Sequence, residues 1–343
     1  MACITFNSEP VVPIELLGFV LAIACRATIN DDPAFAATLQ LVSRTAHAWL
    51  LPVVYEVLVV GTTITRPLTF LQRLITEQPS PSVRQHIRHL VLTANPHIYG
   101  DIVTAQSPSI EWHLQSVAVC AADAPDLFTV IQRLSLRPRR IFIDSSGKFY
   151  GVLLGCLVQQ QSRDAPDHRP IFQEFRDHLE EVHTACVVRS DIEEQALGDE
   201  FTLEDVCGEL DVAVRDSAVR PYRPNQLRIT MDIHTLDAVP NAIRLILSIL
   251  RCPGVSLTLV LPLIPPRNSS EPGHTDIPAW KLCGLLSKEK SLAIDSLEYN
   301  LKIVFSPEEE RPRTVLEYAT AVRSGHSLDM PGQRLEELGV GDL

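Results

Sequence analysis

Two pairs of histidines and one cysteine are the residues best placed, by type and spacing, to do chemistry. His86 and His89 stand three apart, and His178, His183 and Cys186 lie close together further on. A histidine pair is only the start of a zinc site, and no neighbouring residue is nominated as a further ligand. Cys186 and His183 could form a thiolate–imidazole pair, which the geometry of their segment must decide. Ser145-Ser146-Gly147-Lys148 resembles the end of a phosphate-binding loop. Its upstream glycine partner is absent, so a turn between strand and helix is the simpler reading. G-x-G-x-x-G, G-x-S-x-G and H-E-x-x-H do not occur. Asp191, Glu193, Glu194, Asp199, Glu200, Glu204 and Asp205 form an acidic cluster that reads as a solvated loop. No catalytic residue is nominated, no cofactor or metal is expected, and the chain reads as a non-enzyme.

Composition narrows the class further. The 343 residues suit a small module plus one large domain, or an elongated array, and at 45% hydrophobic they can bury a sizeable core. A formal net charge of −12 argues against nucleic acid, whose phosphates call for basic patches. The eight cysteines show no C-x-x-C and no regular pairing, so they read as reduced core thiols. A cytoplasmic or nuclear protein is expected.

The elements that would carry any site fall into two regions. Residues 10–60 read as a helical module, nearly all helix over 10–56, after a loose lead-in over 1–9. A first helix spans about Pro13 to Arg26, with the proline in the first turn and Glu15 near the positive end of the dipole. Ile14, Leu17, Leu21 and Cys25 make one apolar stripe on it, and Leu16, Phe19, Val20 and Ile23 make another. A helix apolar on all sides is buried on all sides. Leu16 to Cys25 is shorter than the ~20 residues a membrane span needs, so no membrane partner is expected and the second stripe calls for a protein partner. Asp32-Pro33 starts a second helix in which Phe35, Leu39 and Val42 share a face. Ser43 caps a third carrying Ala46, Trp49 and Leu50, with Pro52 as a kink or restart. Val57 to Val60 is the first strand.

From Gly61 to about residue 325 strands alternate with helices. Leu68, Leu71 and Ile75 form a helical stripe ended by Pro79-Ser80-Pro81. Ile87, Leu90 and Leu92, with Asn95, fit a leucine-rich-repeat strand, and Leu114, Val117 and Val119 repeat it 27 residues later. Further strands are expected around Ile141 and Ile143, Leu210 to Val214, Leu227 to Ile233, Val255 to Leu261, and Leu301 to Phe305. Helices are expected over Phe149 to Gln160, Ile171 to Glu180, and Asn241 to Arg251, the last with Ile243, Ile246, Leu247 and Leu250 on one side. Pro265 to Pro278 reads as a loop and 326–343 as a frayed tail. The fold class is therefore α/β: a three-helix module followed by an irregular leucine-rich-repeat-like solenoid with parallel strands.

Pro13-Ile14-Glu15-Leu16-Leu17, then Leu41-Val42-Ser43-Arg44, then Ala48-Trp49-Leu50-Leu51-Pro52-Val53-Val54-Tyr55, resembles an F-box. It is most similar to the F-box-like proteins of mushroom-forming (basidiomycete) fungi. The resemblance implies that the helices dock on the adaptor subunit of a cullin-RING ubiquitin ligase and that the following domain selects a protein substrate. Pro13, Ile14, Leu16, Leu17, Phe19, Val20, Ile23, Leu41, Val42 and Trp49 would form the adaptor-binding face. The sequence departs from the pattern at Asn30–Pro33, which widens the first connection, and at Ala46, where the family often has tryptophan. An interaction scaffold, with the module folded back on its own repeats and no ligase role, is the alternative, and an enzyme with an unrecognised site the second. Exposure or burial of the Leu16/Phe19/Val20/Ile23 stripe separates the first two.

Overall fold

A computed structural model of the chain describes residues 14–29, 32–60, 85–93, 112–120, 136–144, 153, 178–190, 202–215, 226–252, 255–263, 277–290 and 300–325. The reading of Leu68 to Ile75 as a helix, Asn95, Ser145 to Lys148, Pro13, the acidic residues 191–200, most of the loop from Pro265 and the tail after Gly325 lie outside the described residues. So do the predicted helices at 149–160 and 171–180, apart from Leu153, which is buried in the main core, and residues 178–180, which do not continue a helix.

Three helices come first: α1 (Ile14–Thr28), α2 (Pro33–Leu39) and α3 (Arg44–Tyr55). The caps are those the sequence offers. Asp32 Oδ1 accepts from Phe35 N at 2.9 Å, and Ser43 Oγ accepts from Ala46 N at 3.0 Å. The expected restart at Pro52 does not occur, because α3 runs through it to Tyr55. Pro52 and Ala48, four residues back, are both exposed, so the carbonyl left without a donor faces solvent. The module has its own small core of Cys25, Ile29, Ala36 and Leu50, edged by Leu21, Leu39, Val53 and Val54.

Only Glu56 separates α3 from the sheet. Eight strands follow among the described residues: β1 (Val57–Val60), β2 (His89–Leu92), β3 (Trp112–Cys120), β4 (Leu136–Asp144), β5 (Glu181–Val188), β6 (Gln226–Ile233), β7 (Ser256–Pro262) and β8 (Leu301–Ser306). They form one sheet in chain order, and each pair is parallel. The 27-residue offset read from the sequence is the real register, since Leu90 pairs with Val117 and Leu92 with Val119. Elsewhere the spacing ranges from 24 residues (Val117 to Ile141) to 45 (Val182 to Leu227).

Register lines up residues across the sheet. On the first face one such row reads Leu58, Leu90, Val117, Ile141, Val182, Leu227, Leu257, Leu301, all aliphatic. The main core is built on this face and takes in residues of α4 (Leu203–Arg215), α5 (Val239–Arg251) and α6 (Pro278–Lys290). The next row, on the second face, reads Val59, Val91, Ala118, Phe142, His183, Arg228, Thr258, Lys302. It is apolar over β1–β4 and polar over β5–β8. The last of the described helices, α7 (Val315–Arg323), packs on the apolar half through Val315, Tyr318 and Ala319.

Several local expectations change. Leu210, Val212 and Val214 belong to α4 and not to a strand. Their alternation is outweighed by Leu203, Val206, Cys207 and Leu210, a helical stripe that is buried throughout. The buried side of α5 is Ala242, Leu245, Ile246, Ile249 and Leu250, so Ile243 and Leu247 lie at its margin. Pro278 opens α6 and does not close a loop. The strand expected around Ile141 and Ile143 starts earlier, at Leu136, and so includes Arg137 to Arg140.

Leu90→Asp should unfold the domain, because Leu90 is 1% exposed and offers no partner for a charge. Arg88→Asp, at an exposed side chain beyond the end of β2, should cost about 1 kcal/mol or less. Urea midpoints of the two variants check this, and equal midpoints would contradict the register.

Candidate functional site

The two apolar stripes of α1 have different fates. Leu21 and Cys25 turn inward to the module core, with Cys25 fully buried. Leu16, Phe19, Val20 and Ile23 remain 53%, 65%, 57% and 52% exposed, a row at i, i+3, i+4 and i+7 along one side of the helix. Leu17, at the border, is also exposed, as are Leu41 and Val42 in the turn between α2 and α3. Scattered surface leucines need no explanation, but a helical row of four large apolar side chains does.

Trp49 does not belong to this exposed set. It is half-buried, with its indole lying on Gly18, where a Cβ would approach Trp49 Cδ2 to 3.0 Å. The absent side chain at Gly18 forms the slot that accepts the ring, so Trp49 holds α3 against α1. Ile14 is in α1, and Pro13 lies outside the described residues. Phe35, exposed on α2, was not nominated from sequence as part of the face. The sequence put it on one face with Leu39 and Val42, yet Leu39 packs against the module core while Phe35 and Val42 are exposed.

The module is joined to the sheet by backbone as well as sequence. Glu56 O accepts from both Arg88 N and His89 N, at 3.0 and 2.9 Å. The Glu56 carboxylate sits 3.2 Å from Arg26 of α1 and 3.9 Å from Arg88. Such exposed pairs contribute little energy, so the backbone bonds set the junction.

The groups picked out as chemically capable are separated. His183 and Cys186 are three apart on β5, so the pleat sends them to opposite faces. Cys186 joins the main core, and burial raises its thiol far above the ordinary value. His183 bonds Thr230 Oγ1 at 2.9 Å and meets the Phe142 ring edge-on at 5.0 Å. Burial, and then the nearby Arg228 charge, push its pKa well below the ordinary value. His89 Nδ1 lies 2.8 Å from Ser116 Oγ, and burial lowers its pKa to about 4. His86 is half-buried beside Gln85, and His178 is exposed ahead of β5. Among the described residues no group of three or more histidine, cysteine or carboxylate side chains could hold a metal. Glu204 and Asp205 are not loop residues but the first turn of α4, where Asp205 Oδ2 accepts from Thr202 N and Oγ1.

A shallow cavity of about 350 Å³ lies between α4 and α5, lined by Glu204, Gly208, Asp211, Arg244 and Arg251 among others. Its thiol, Cys207, is buried in the main core, and Arg251 is already paired with Asp211 at 3.4 Å. This is a gap between two helices, without an aligned nucleophile and base. No helix of the described residues is long and apolar enough to cross a membrane.

Comparison of the chain with protein-family models, with curated proteins and with solved structures finds no match.

Two expectations follow from this geometry. Gly18→Val should loosen α1 from α3 by about 1–3 kcal/mol, the range for overpacking, detected as faster proteolysis within 14–55. The histidines give a pH dependence whose sign is fixed. Folded His89 and His183 exclude a proton that the unfolded chain takes up near pH 6.5, so stability present above that pH is lost as pH falls below it. Urea titrations at pH 7.5, 6.5 and 5.5 should show a loss of up to ~1.4 kcal/mol per unit per histidine, with a shallower slope in His89→Gln.

Proposed function

We propose that this protein is a substrate-recognition subunit of a cullin-RING ubiquitin ligase, with α1–α3 acting as an F-box-like module and the sheet domain as a leucine-rich-repeat-like receptor. The observation that carries the reading is the outward row Leu16, Phe19, Val20 and Ile23 on a helix whose opposite side is already packed. Four such side chains are worth roughly 1.5–3 kcal/mol each when fully buried, enough to anchor an interface after the costs of association. The F-box resemblance of Pro13–Leu17, Leu41–Arg44 and Ala48–Tyr55 names the partner as the ligase adaptor. Leu41, Val42 and Phe35 would widen the contact beyond α1, while Trp49 would act from beneath by positioning it. The eight parallel strands in chain order support the receptor half of the reading.

The mechanism is proximity. One end holds the adaptor and the other a target, so target lysines are kept near a charged ubiquitin-conjugating enzyme at high effective concentration. No bond is made or broken by this chain. The Glu56 junction suits the task, since the backbone bonds from Arg88 and His89 tie the end of α3 to the start of β2. The alternative, a scaffold whose module folds back on its own domain, would bury Leu16, Phe19, Val20 and Ile23, which are exposed.

A pull-down with purified adaptor, run beside a thermal melt, tests the reading. The unmodified protein should capture the adaptor. Leu16→Lys with Val20→Lys should abolish capture, because each ammonium must be desolvated at the centre of the contact, while the melting temperature stays within a few degrees. Failure of the unmodified protein to bind, or unfolding of the double variant, would remove the proposal.

A further inference from the structure

Among the described helices of the sheet domain, α4, α5 and α6 all contribute to the main core on the first face, and α7 alone packs on the second. It follows β8, at one edge of the sheet, yet it contacts β1, β2, β3 and β4, the strands at and next to the other edge. Its inward residues Val315, Tyr318, Ala319 and Val322 stand at i, i+3, i+4 and i+7. They meet Val57, Val59, Val91, Ala118, Cys120 and Phe142, with Tyr318 stacked on Phe142 at 4.7 Å. This is the geometry of an amphipathic helix laid in an apolar trough.

Three features make the contact separable. First, the main core contains no residue of α7, so the first-face burial of the sheet does not depend on it, and the strand residues its departure would uncover are Val57, Val91, Ala118 and Phe142. Second, no strand pairing involves α7, which meets the trough through side chains, with Val315 N bonded to Asp144 Oδ2 and Arg323 to Val57 O, both at 3.4 Å. Third, the helix carries its own start signal. Thr314 and Glu317 form a reciprocal capping box, which satisfies its first amides wherever it lies. The preceding segment is anchored separately, by Arg311 on Asp232 at 2.7 Å in a buried pair, so a departing α7 would stay tethered.

We propose that α7 is a latch: a helix docked in cis on a helix-binding trough over β1–β4, which it can vacate while the sheet stays folded. The exogenous occupant is an amphipathic helix with an aromatic residue and a small one at adjacent inward positions, as in Tyr318-Ala319. This deepens the receptor role proposed above by placing target contact on the strand-lined face, and rests on that reading only for the source of the displacing helix.

Native-state hydrogen exchange on the full-length protein reads the opening directly. Amides of 315–323 should exchange at least tenfold faster than those of β2–β4, whose protection persists. A second arm uses the full-length Tyr318→Asp variant and a labelled peptide of residues 311–325 in its natural sequence. The variant should bind the peptide at micromolar concentration while β2–β4 stay protected. The unmodified protein should bind it at least tenfold more weakly, because its own α7 occupies the trough at far higher effective concentration. Exchange of α7 in step with β2–β4, loss of strand protection in the variant, or a protected variant that ignores the peptide would each overturn the latch. Neither arm uses the adaptor, so its outcome is separate from adaptor capture.

Discussion

Parallel strands cannot be joined by tight turns, and this chain pairs every strand with the one before it. Each connection must therefore leave the sheet and return beside its starting point. That single constraint builds the main core. The first face becomes an aliphatic row eight strands long, from Leu58 to Leu301, and a helix such as α5 is wedged onto it with Leu245, Ile246 and Ile249 fully buried. It also means that each strand makes its backbone ladder with the strands next to it in chain order. Spacing between strands can then vary widely without breaking the ladder. The three-helix module needs little from this arrangement, having a core of its own, and meets it at Glu56.

The second face is where uniformity ends. Over β5–β8 it carries buried polar residues that must find partners. Arg228 pairs with Glu181 at 3.2 Å, both about 10% exposed, and Asp232 takes both Arg311 and Arg313. Buried pairs of this kind add little net stability over an apolar pair, but removing one member strands a charge. Their effect is to fix which segment crosses which strand. The 307–314 stretch is thereby registered on β6 before α7 reaches the apolar half.

How much of this was legible in the sequence depends on which face a residue serves. Strands facing the aliphatic side, such as β6, β7 and β8, show their alternation plainly, and the Leu90–Val117 offset is a true register. β5 is less visible because Glu181, His183 and Thr184 are buried polar groups in a segment that reads as mixed. In α4, Leu210–Val214 mimics a strand, and only the longer window from Leu203 shows the 3.6-residue period. α7 was missed although Thr314-x-x-Glu317 is a helix-start signature lying open in the sequence. At the candidate site the doubly apolar character of α1 was legible, and so was the need for something to cover its second stripe. The seating of Trp49 on Gly18 was not, because it depends on how α1 and α3 cross.

The position of α7 also has a consequence for synthesis. A sheet ordered like the chain can assemble strand by strand as the polypeptide leaves the ribosome. The second face of β1–β4 cannot be finished in that way, because Val315 follows Asp144 by 171 residues. At translation rates of about 5–20 residues per second, Val91, Ala118 and Phe142 wait roughly 9–34 s for their cover. During that interval the nascent chain presents an apolar strip to whatever is nearby. Premature termination anywhere between β4 and α7 would leave it open for good, with the exposed row Leu16, Phe19, Val20 and Ile23 of α1 already complete.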